Sequence, residues 1–303
     1  MNTQGAQVLV GIGGWEHEVF DTCFYPQAGM TSEDKLSYYA RFFDAVEVRS
    51  TFWDETLSDS DAARWVEAVN FNKRFMFNVK LHSSFTHKQS VKPHITRAIR
   101  SVLHELQRHD KLGALIVQFP YAFTNTSAHR YHVIKLSEIF SGFPIHVEFR
   151  HESWNQATTN TLLAEHGMLA VNTDLPRIRQ HIPFTTTVIG NAAYMRLHGR
   201  NDKGWLVNAD DVRYDYLYNA REVRELSRRI DVLTQKCDRV TVICNNTTNG
   251  KALANALQLR AAVLHGKSLI APAATLAAFP DIKAIAAPAI EPSLLTDWYR
   301  NAV

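Results

Sequence analysis

Eight short apolar runs recur along this chain of 303 residues, and most of them end in polar or charged residues. Segments with helical periodicity lie between the runs, and eight buried strands alternating with helices are typical of a (β/α)8 barrel. We therefore predict an α/β protein with a TIM-type barrel, whose site lies at the C-terminal ends of the strands. The runs are VLVGIG (8–13), AVEVRS (45–50), FMFNVK (75–80), ALIVQF (114–119), IHVEFR (145–150), LAVNTD (169–174), AYMRLHG (193–199) and RVTVICNN (239–246).

Apolar residues at helical spacing predict helices between the strands and after the last one. The segment 175–191 contains two prolines and a β-branched run, so we predict no full helix there. No linker divides the chain, which predicts a single domain over 1–303, with a barrel core over about 8–266 and a C-terminal extension, 267–303, packed on the barrel. The predicted helices are 31–43, 59–69, 94–109, 128–140, 157–166, 214–237 and 250–266.

Side chains alternate between the two faces of a strand, so each strand ending can be sorted by parity. The apolar set must face the surrounding helices, which predicts that the polar set faces the barrel axis. Burying many unpaired charges is costly, so this set indicates a functional site, with a structural ion-pair network as the alternative. The predicted inward residues are Glu47, Arg49, Asn78, Lys80, Gln118, His146, Glu148, Arg150, Asn172, Asp174, Tyr194, Arg196 and His198.

The composition, with 46% hydrophobic and 21% charged residues, is that of an ordinary globular protein. A net charge of +3 without a dense Lys/Arg block makes nucleic acid an unlikely partner. No apolar stretch approaches the roughly 20 residues of a membrane span, and the N-terminus does not have the pattern of a signal peptide. Three cysteines without metal-type spacing suit a reducing compartment, so we expect a cytoplasmic protein. These features do not indicate an oligomeric state.

Ordered sequence blocks at these strand ends resemble the DUF72 family, also called YecE-like proteins, from residue 9 to about residue 260. The resemblance implies a TIM-type barrel and strengthens the position of the site, but it implies no particular reaction. The chain departs from the family pattern at Ile12 and Gly13, where a Thr-Ser pair is expected, and at Arg49, where Asn is usual. The main blocks are LVGIGGW (9–15), YYARFFDAVEVRSTFW (38–53), FMFNVKLHSSFTH (75–87), LGALIVQFP (112–120), HVEFRHESW (146–154), VNTDLP (171–176), YMRLHGR (194–200), YDYLY (214–218) and NNTTNGKALANA (245–256).

An excess of arginine and lysine over carboxylates among the inward residues predicts a ligand with an anionic group. Arg49, Arg150 and Arg196 can each make planar bidentate contacts to a carboxylate or phosphate. Trp205, in the loop 201–210, is predicted to belong to a lid over the site. The further substrate-binding candidates are Trp15, Gln118, His87 and Asn246.

The candidate catalytic residues carry the side chains that most often move protons or attack carbonyl groups. A desolvated Lys80 beside other cations is a candidate Schiff-base nucleophile or base, and the alternative is that it simply pairs with Glu47. Aromatic residues near a pair of carboxylates would also suit glycoside hydrolysis. The candidates are Glu148, Asp174, His198, Lys80 and Glu47.

A divalent cation held by the two glutamates, Asp174 and His198 is an alternative. The nearby arginines would repel such a cation, so we predict no metal and no cofactor. The leading hypothesis is an enzyme that acts on a small anionic or polyhydroxylated molecule by hydrolase-type or lyase-type chemistry. The alternative is a non-catalytic protein that uses the same basic pocket to bind a metabolite, a nucleic acid or a protein partner.

Overall fold

Eight parallel strands close into a barrel in the computed structural model, which describes residues 5–207, 210–264 and 269–290. Each strand pairs with the next along the chain, and the eighth pairs with the first. Every predicted apolar run overlaps one strand, so the predicted fold class is confirmed. The strands are β1 (Gln7–Gly13), β2 (Ala45–Val48), β3 (Met76–Lys80), β4 (Leu112–Gln118), β5 (Ile145–Glu148), β6 (Met168–Asp174), β7 (Ala192–Leu197) and β8 (Arg239–Cys244).

Helices surround the barrel, and all seven predicted helical segments contain one. The α-helices are α1 (Phe20–Cys23), α2 (Ser32–Tyr39), α3 (Asp59–Ala68), α4 (Ser83–Thr86), α5 (Pro93–Arg108), α6 (Ser127–Ile139), α7 (Ala157–Glu165), α8 (Asp202–Leu206), α9 (Asp210–Arg213), α10 (Ala220–Thr234), α11 (Lys251–Val263) and α12 (Ala273–Ala278). Short 3-10 helices span Ser50–Phe52, Glu152–Trp154, Thr248–Gly250 and Pro280–Ala284.

The local sequence explains where several helices begin. Thr31 caps α2 by accepting a hydrogen bond from the backbone N–H of Asp34. Asn219 and Glu222 form a capping box at the start of α10, so this helix begins later than the predicted residue 214. The described segment 175–191 contains no α-helix, as predicted.

A small apolar cluster fills the inside of the barrel, separate from the larger core between strands and helices. It identifies the inward face of six strands, because residues two positions further along a strand share that face. The cluster consists of Leu9, Ala45, Ala114, Ile116, Val171, Tyr194 and Ile243.

The chain continues beyond the barrel into a small two-stranded parallel sheet of β9 (Leu269–Ala271) and β10 (Ala286–Pro288). Helix α12 lies between them, and the Thr275 hydroxyl donates a hydrogen bond to the backbone carbonyl of Cys23 over 2.7 Å. The described part of the predicted extension therefore packs against α1, while residues 267–268 and 291–303 lie outside the described residues. Within the described chain, no helix combines the length and apolar character that crossing a membrane requires.

Candidate functional site

A buried arginine links two glutamates across the inside of the barrel. Arg196 of β7 donates from Nη2 to Glu47 Oε1 of β2 over 2.6 Å and from Nη1 to Glu148 Oε2 of β5. All three side chains are buried. The hydroxyl oxygen of Tyr194, two residues before Arg196, lies 3.5 Å from Glu47 Oε2. The predicted inward orientation of these residues is therefore correct.

Glu148 is the most heavily coordinated member of this centre. Its Oε1 accepts a hydrogen bond from Arg150 Nε over 3.0 Å and lies 3.3 Å from His198 Nε2. Burial alone would raise the pKa of Glu148, but Arg196, His198 and Arg150 together lower it well below its ordinary value. Burial lowers the pKa of His198 to about 3, with Arg196 and Arg150 acting in the same direction and Glu148 opposing them. At neutral pH the centre therefore holds an ionised Glu148 and a neutral His198.

Lys80, the last residue of β3, has an unusual environment. Across residues 5–207, 210–264 and 269–290, no carboxylate lies within 4.0 Å of its ammonium group, so the alternative of an ion pair with Glu47 is not realised. Lys80 Nζ instead lies 3.7 Å from the centre of the Phe52 ring. Burial and the nearby Arg196, Arg49 and Arg150 lower the pKa of Lys80 to about 7, although Glu47 opposes this shift.

A cleft of about 360 Å³ opens at the C-terminal ends of the strands, beside this centre. Three arginines and two histidines line it, and within the described chain its lining contains no carboxylate. Arg150 belongs to both the cleft and the buried centre, so the two are continuous. The lining residues are His87, Pro120, Tyr121, Arg150, Arg179, His181, Trp205, Leu206 and Arg213.

Trp205, on α8, forms part of the cleft wall. The guanidinium carbons of Arg150 and Arg213 each lie 5.3 Å from the centre of its ring system. Its ring also approaches His181 and His198, at centroid distances of 5.3 and 6.2 Å. Trp205 thus lies over the charged centre, where a lid residue would lie, and its role as a lid stays a prediction.

A second, smaller cleft of about 280 Å³ lies on the β1–β2 side of the mouth, and Arg49 lines it together with Trp15. Arg49 is partly buried, and no ion pair to it is found among the residues that the structure describes. Trp15 is buried, its ring packs edge-on against Trp65, and its Nε1 donates to the backbone carbonyl of Ser32 over 3.2 Å. Structural packing therefore accounts for most of the Trp15 side chain.

Asp174 does not join the inward residues, and its predicted orientation is wrong. In the β6–β7 register, Thr173 pairs with the inward Arg196 and Asp174 pairs with the outward Leu197. The Asp174 carboxylate instead accepts a hydrogen bond from Arg200 Nε over 2.9 Å. Burial raises the pKa of Asp174, and Arg200 opposes that shift.

Asn172 shares the outward face with Asp174, so its predicted inward orientation is also wrong. Its Oδ1 accepts from the backbone N–H of Thr187 over 2.7 Å, and its Nδ2 donates to the Thr187 carbonyl over 2.9 Å. The amide thus holds the segment between β6 and β7 against the barrel, which is a structural task.

Asn246, a predicted substrate-binding residue, points away from the barrel axis. Its Nδ2 donates to the backbone carbonyl of Tyr216 and to Asn255 Oδ1, both over 2.8 Å. The preceding residue, Asn245, shares the inward parity of Ile243 and lies against Gly13. Its buried Nδ2 has no hydrogen-bond partner among the described residues. Of the Asn-Asn pair, Asn245 is therefore the member that faces the barrel, and the substrate-binding role of Asn246 stays a prediction.

The remaining candidates lie near the mouth of the barrel. Gln118, which follows the inward Ile116 by two residues, is buried, and its Nε2 donates to the backbone carbonyl of Phe119 over 2.8 Å. His87 is exposed, lines the basic cleft and lies edge-on to Phe52 at 5.1 Å. Partial desolvation, Lys80 and Arg150 lower the pKa of His87. Sequence analysis missed Arg179, His181 and Arg213, because they lie in the connections between strands, where no long periodic pattern marks them.

The alternative of a cation held by four of the predicted residues is not supported. Arg196 lies between Glu47 and Glu148, and Asp174 is on the other face of β6. Throughout the part of the chain that the structure describes, no three or more His, Cys, Asp or Glu side chains are grouped so that they could hold a metal ion.

The closed ring of eight parallel strands, with ionisable side chains gathered at the strand ends, defines an α/β-barrel protein of the TIM-barrel type. A family model described as "Protein of unknown function DUF72" matches residues 9–277. The chain belongs to the DUF72 family, as the sequence blocks predicted.

Known proteins of this family are similar to the chain over most of its length. The UPF0759 protein YunF of Bacillus subtilis (strain 168) is 26% identical over 270 residues, which are 83% of this chain and 93% of YunF. A DUF72 family protein from Thermotoga maritima MSB8 has a crystal structure with a TM-score of 0.75 and 28% identity, covering 85% of this chain and 99% of that chain. The crystal structure of a DUF72 family protein from Enterococcus faecalis V583 has a TM-score of 0.76 and 26% identity, covering 86% of this chain and 97% of that chain.

Proposed function

We propose that this barrel is an enzyme that binds a small molecule bearing a phosphate or carboxylate in the basic cleft and acts on it by lyase-type or hydrolase-type chemistry. One observation carries the proposal: three arginines and two histidines line a single cleft whose described lining has no carboxylate. Such a lining concentrates positive charge on the wall of one cleft, which favours an anionic ligand there.

Arg150 is the central anion-binding residue of this proposal. Its Nε is held by Glu148 over 3.0 Å, and its guanidinium lies against the Trp205 ring. A guanidinium fixed in this way has already lost much of its rotamer freedom, so binding costs less conformational entropy. Its two Nη groups can then donate hydrogen bonds to two oxygen atoms of a phosphate or carboxylate.

The charged centre below the cleft supplies the chemistry. Glu148 is held ionised by arginines, so it orients Arg150 and His198 and does not carry a proton at neutral pH. Lys80 and His198 both have lowered pKa values, so each offers an unprotonated nitrogen near pH 7. A proton acceptor with a pKa near the working pH is effective in general base catalysis, which makes Lys80 the favoured acceptor.

The competing function is a non-catalytic protein that binds the same anion. A cytoplasmic location is part of either proposal, because all three cysteines are free thiols. The two functions differ in turnover. In a screen of phosphorylated and carboxylated metabolites, the enzyme hypothesis expects turnover that Lys80→Met abolishes while affinity for inorganic phosphate is retained. No turnover by the wild-type protein would favour the binding protein.

The anion site is tested with inorganic phosphate as the probe, by isothermal titration calorimetry at constant ionic strength. Arg179 lines the cleft and is exposed, whereas Arg177 is equally exposed but does not line it. Loss of one charged hydrogen-bond donor costs about 1.5–3 kcal/mol, so Arg179→Ala should weaken phosphate binding by roughly 10-fold to 100-fold. Arg177→Ala is the matched control and should leave it unchanged. Equal losses in both variants would contradict a specific anion site.

A further inference from the structure

The surroundings of Lys80 differ from those of an ordinary lysine at a barrel mouth. Glu47, the expected ion-pair partner of Lys80, instead accepts hydrogen bonds from Arg196 over 2.6 Å and from the Tyr194 hydroxyl over 3.5 Å. Within the described ranges no other carboxylate lies within 4.0 Å of Lys80, and its Nζ packs on the face of Phe52 instead. Lys80 is only partly buried, and Phe52 connects its amine to the basic cleft, because the Phe52 ring also packs edge-on against His87 of the cleft wall at 5.1 Å.

Three nearby arginines also make the charged form of Lys80 less favourable. Arg196, Arg49 and Arg150 each disfavour a further positive charge at Lys80. A guanidinium stays protonated in proteins, so the proton that leaves such a cluster comes from the lysine. The pKa of about 7 agrees with this geometry and leaves about half of the Lys80 amines neutral near pH 7.

We propose that Lys80 is a nucleophile that forms a Schiff base with the carbonyl group of an anionic aldehyde or ketone. The neutral amine nitrogen attacks the carbonyl carbon, and the carbonyl oxygen takes up a proton to give a carbinolamine. The carbon–oxygen bond then breaks, water leaves, and the nitrogen releases its remaining proton as the imine forms. The net reaction joins one amine to one carbonyl and releases one water, so it needs no oxidant or reductant.

The basic cleft gives the reason for an anionic carbonyl compound. Arg150 and His87 both line the cleft, and His87 packs against the Phe52 ring on which the Lys80 amine lies, so an anion held by Arg150 occupies the cleft next to that ring. This step rests on the proposed function, because the cleft must hold the anionic end of the substrate. A lysine imine that takes up a proton on its nitrogen withdraws electrons from the neighbouring carbon, so the inference favours lyase-type over hydrolase-type chemistry.

Reductive trapping tests the inference directly. The folded protein is incubated with glyoxylate, an aldehyde that carries a carboxylate, and the imine is reduced with sodium borohydride. Lys80 should gain the mass of the probe minus one oxygen atom, detected by peptide mass spectrometry. The exposed Lys88 of the same segment reports non-specific labelling. Near pH 7 roughly a thousandfold more of the Lys80 amine is neutral than in an ordinary lysine, so Lys80 should react up to about a thousandfold faster than Lys88.

Two variants and a pH series sharpen the test. Lys80→Met and Lys80→Arg should both lose the adduct, with circular dichroism showing that each variant is folded, and Lys80→Arg keeps the positive charge. The rate of trapping at Lys80 should rise with a midpoint near pH 7, and Arg49→Gln should move that midpoint upward by removing one of the cations. Labelling of Lys80 no faster than of Lys88, or a midpoint unaffected by Arg49→Gln, would overturn the inference.

The failure of this inference can be separated from failure of the anion site. Uncharged acetaldehyde serves as a second probe, and Arg179→Ala should slow trapping of glyoxylate but not of acetaldehyde. If Lys80 is trapped equally fast with both probes and in both proteins, the Schiff-base inference stands and the anion site is refuted. If phosphate binding depends on Arg179 but Lys80 is not trapped, the anion site stands and the Schiff-base inference is refuted.

Discussion

Replacing Arg196 with methionine would leave two buried carboxylates without the cation that lies between them. At the observed 2.6 Å between Nη2 and Glu47 Oε1, the Coulomb attraction is about 6 kcal/mol for an effective dielectric constant of about 20. Desolvation of the charges offsets much of this attraction, so the intact centre adds little net stability. Removing one partner from a buried pair nevertheless costs about 3–5 kcal/mol, because the remaining charge stays buried and unpaired.

This loss is a substantial fraction of the free energy of unfolding of a typical domain, which is about 5–15 kcal/mol. For a chain of 303 residues the unfolding entropy near the melting temperature is about 0.6 kcal/mol per degree. The expected decrease in Tm of Arg196→Met is therefore about 5–8 °C. Equilibrium urea unfolding and thermal unfolding followed by circular dichroism measure both quantities.

The stability difference should also depend on pH in a defined direction. In the wild-type protein the pKa of Glu148 is lowered, so its stabilising contribution is present above the ordinary value of 4.5 and is lost as pH falls through the lowered pKa. In Arg196→Met the largest of the influences that lower the pKa of Glu148 is lost, so that pKa should rise from its wild-type value, although Arg150 and His198 still oppose the effect of burial. The penalty of the variant is then largest at neutral pH and becomes smaller as the carboxylate is protonated at lower pH.

Two controls accompany this measurement. Arg64 forms an exposed ion pair with Glu33, so Arg64→Met should change the free energy of unfolding by less than about 1 kcal/mol. Adding Glu47→Gln and Glu148→Gln to Arg196→Met removes both buried charges and should restore part of the lost stability. A loss below about 1 kcal/mol for Arg196→Met, or one that does not change with pH, would refute the assignment of Arg196 as the buried counter-ion.

Two further predictions concern residues at the strand ends. Asn246→Ala should lower the free energy of unfolding by about 1–3 kcal/mol in urea titrations, because it leaves the Tyr216 carbonyl without its donor and removes one of the two donors to Asn255 Oδ1. An effect no larger than that of Asn245→Ala would contradict its structural role. Gly199→Ala should lower Tm by several degrees, because Gly199 has φ +89° and a Cβ there would lie 2.5 Å from Cβ of Tyr216. An unchanged Tm would show that this turn relaxes without cost.

The strands and helices were predictable because the chain alternates two clear periodicities. In β2, for example, Val46 and Val48 are apolar and Glu47 between them is charged, so one face is unambiguous. The same holds for β7, where Arg196 lies between Met195 and Leu197. Parity correctly predicted that Glu47 and Arg196 both face the barrel axis, where they are in contact although 149 positions separate them.

Parity failed where several polar residues stand in a row. In β6 the strand ends Asn172–Thr173–Asp174, so both faces are polar and the alternation does not decide which side meets the helices. The outward position is acceptable for Asp174 because Arg200 on a neighbouring loop pairs with it. The same ambiguity applies to Asn245 and Asn246, which have identical side chains on opposite faces. The sequence does not reveal which distant residue will pair with a polar side chain on the outward face.

The cleft itself was only partly predictable. Arg150 was found through its strand, but Arg179 and Arg213 lie outside strands and approach Arg150 through the fold of two separate connections. Loop conformation depends on turn geometry and packing, and neither leaves a repeating pattern in the sequence. Arg179 has a left-handed backbone conformation, with φ 51°, which is uncommon for arginine and could not be predicted from its residue type.

The buried ion-pair network and the proposed anion site, weighed above as alternatives, share Glu148 and Arg150. The two glutamates Glu47 and Glu148 are shared between Arg196 and Arg150, which accounts for the buried ion pairs. Arg49 and Lys80 are then left without a carboxylate among the described residues. A network selected for stability alone would gain by replacing these two cations with apolar side chains, since unpaired charge near the interior is destabilising. Their retention is explained if a ligand brings the missing negative charge, and the ion pairs below then serve to hold that positive site in place.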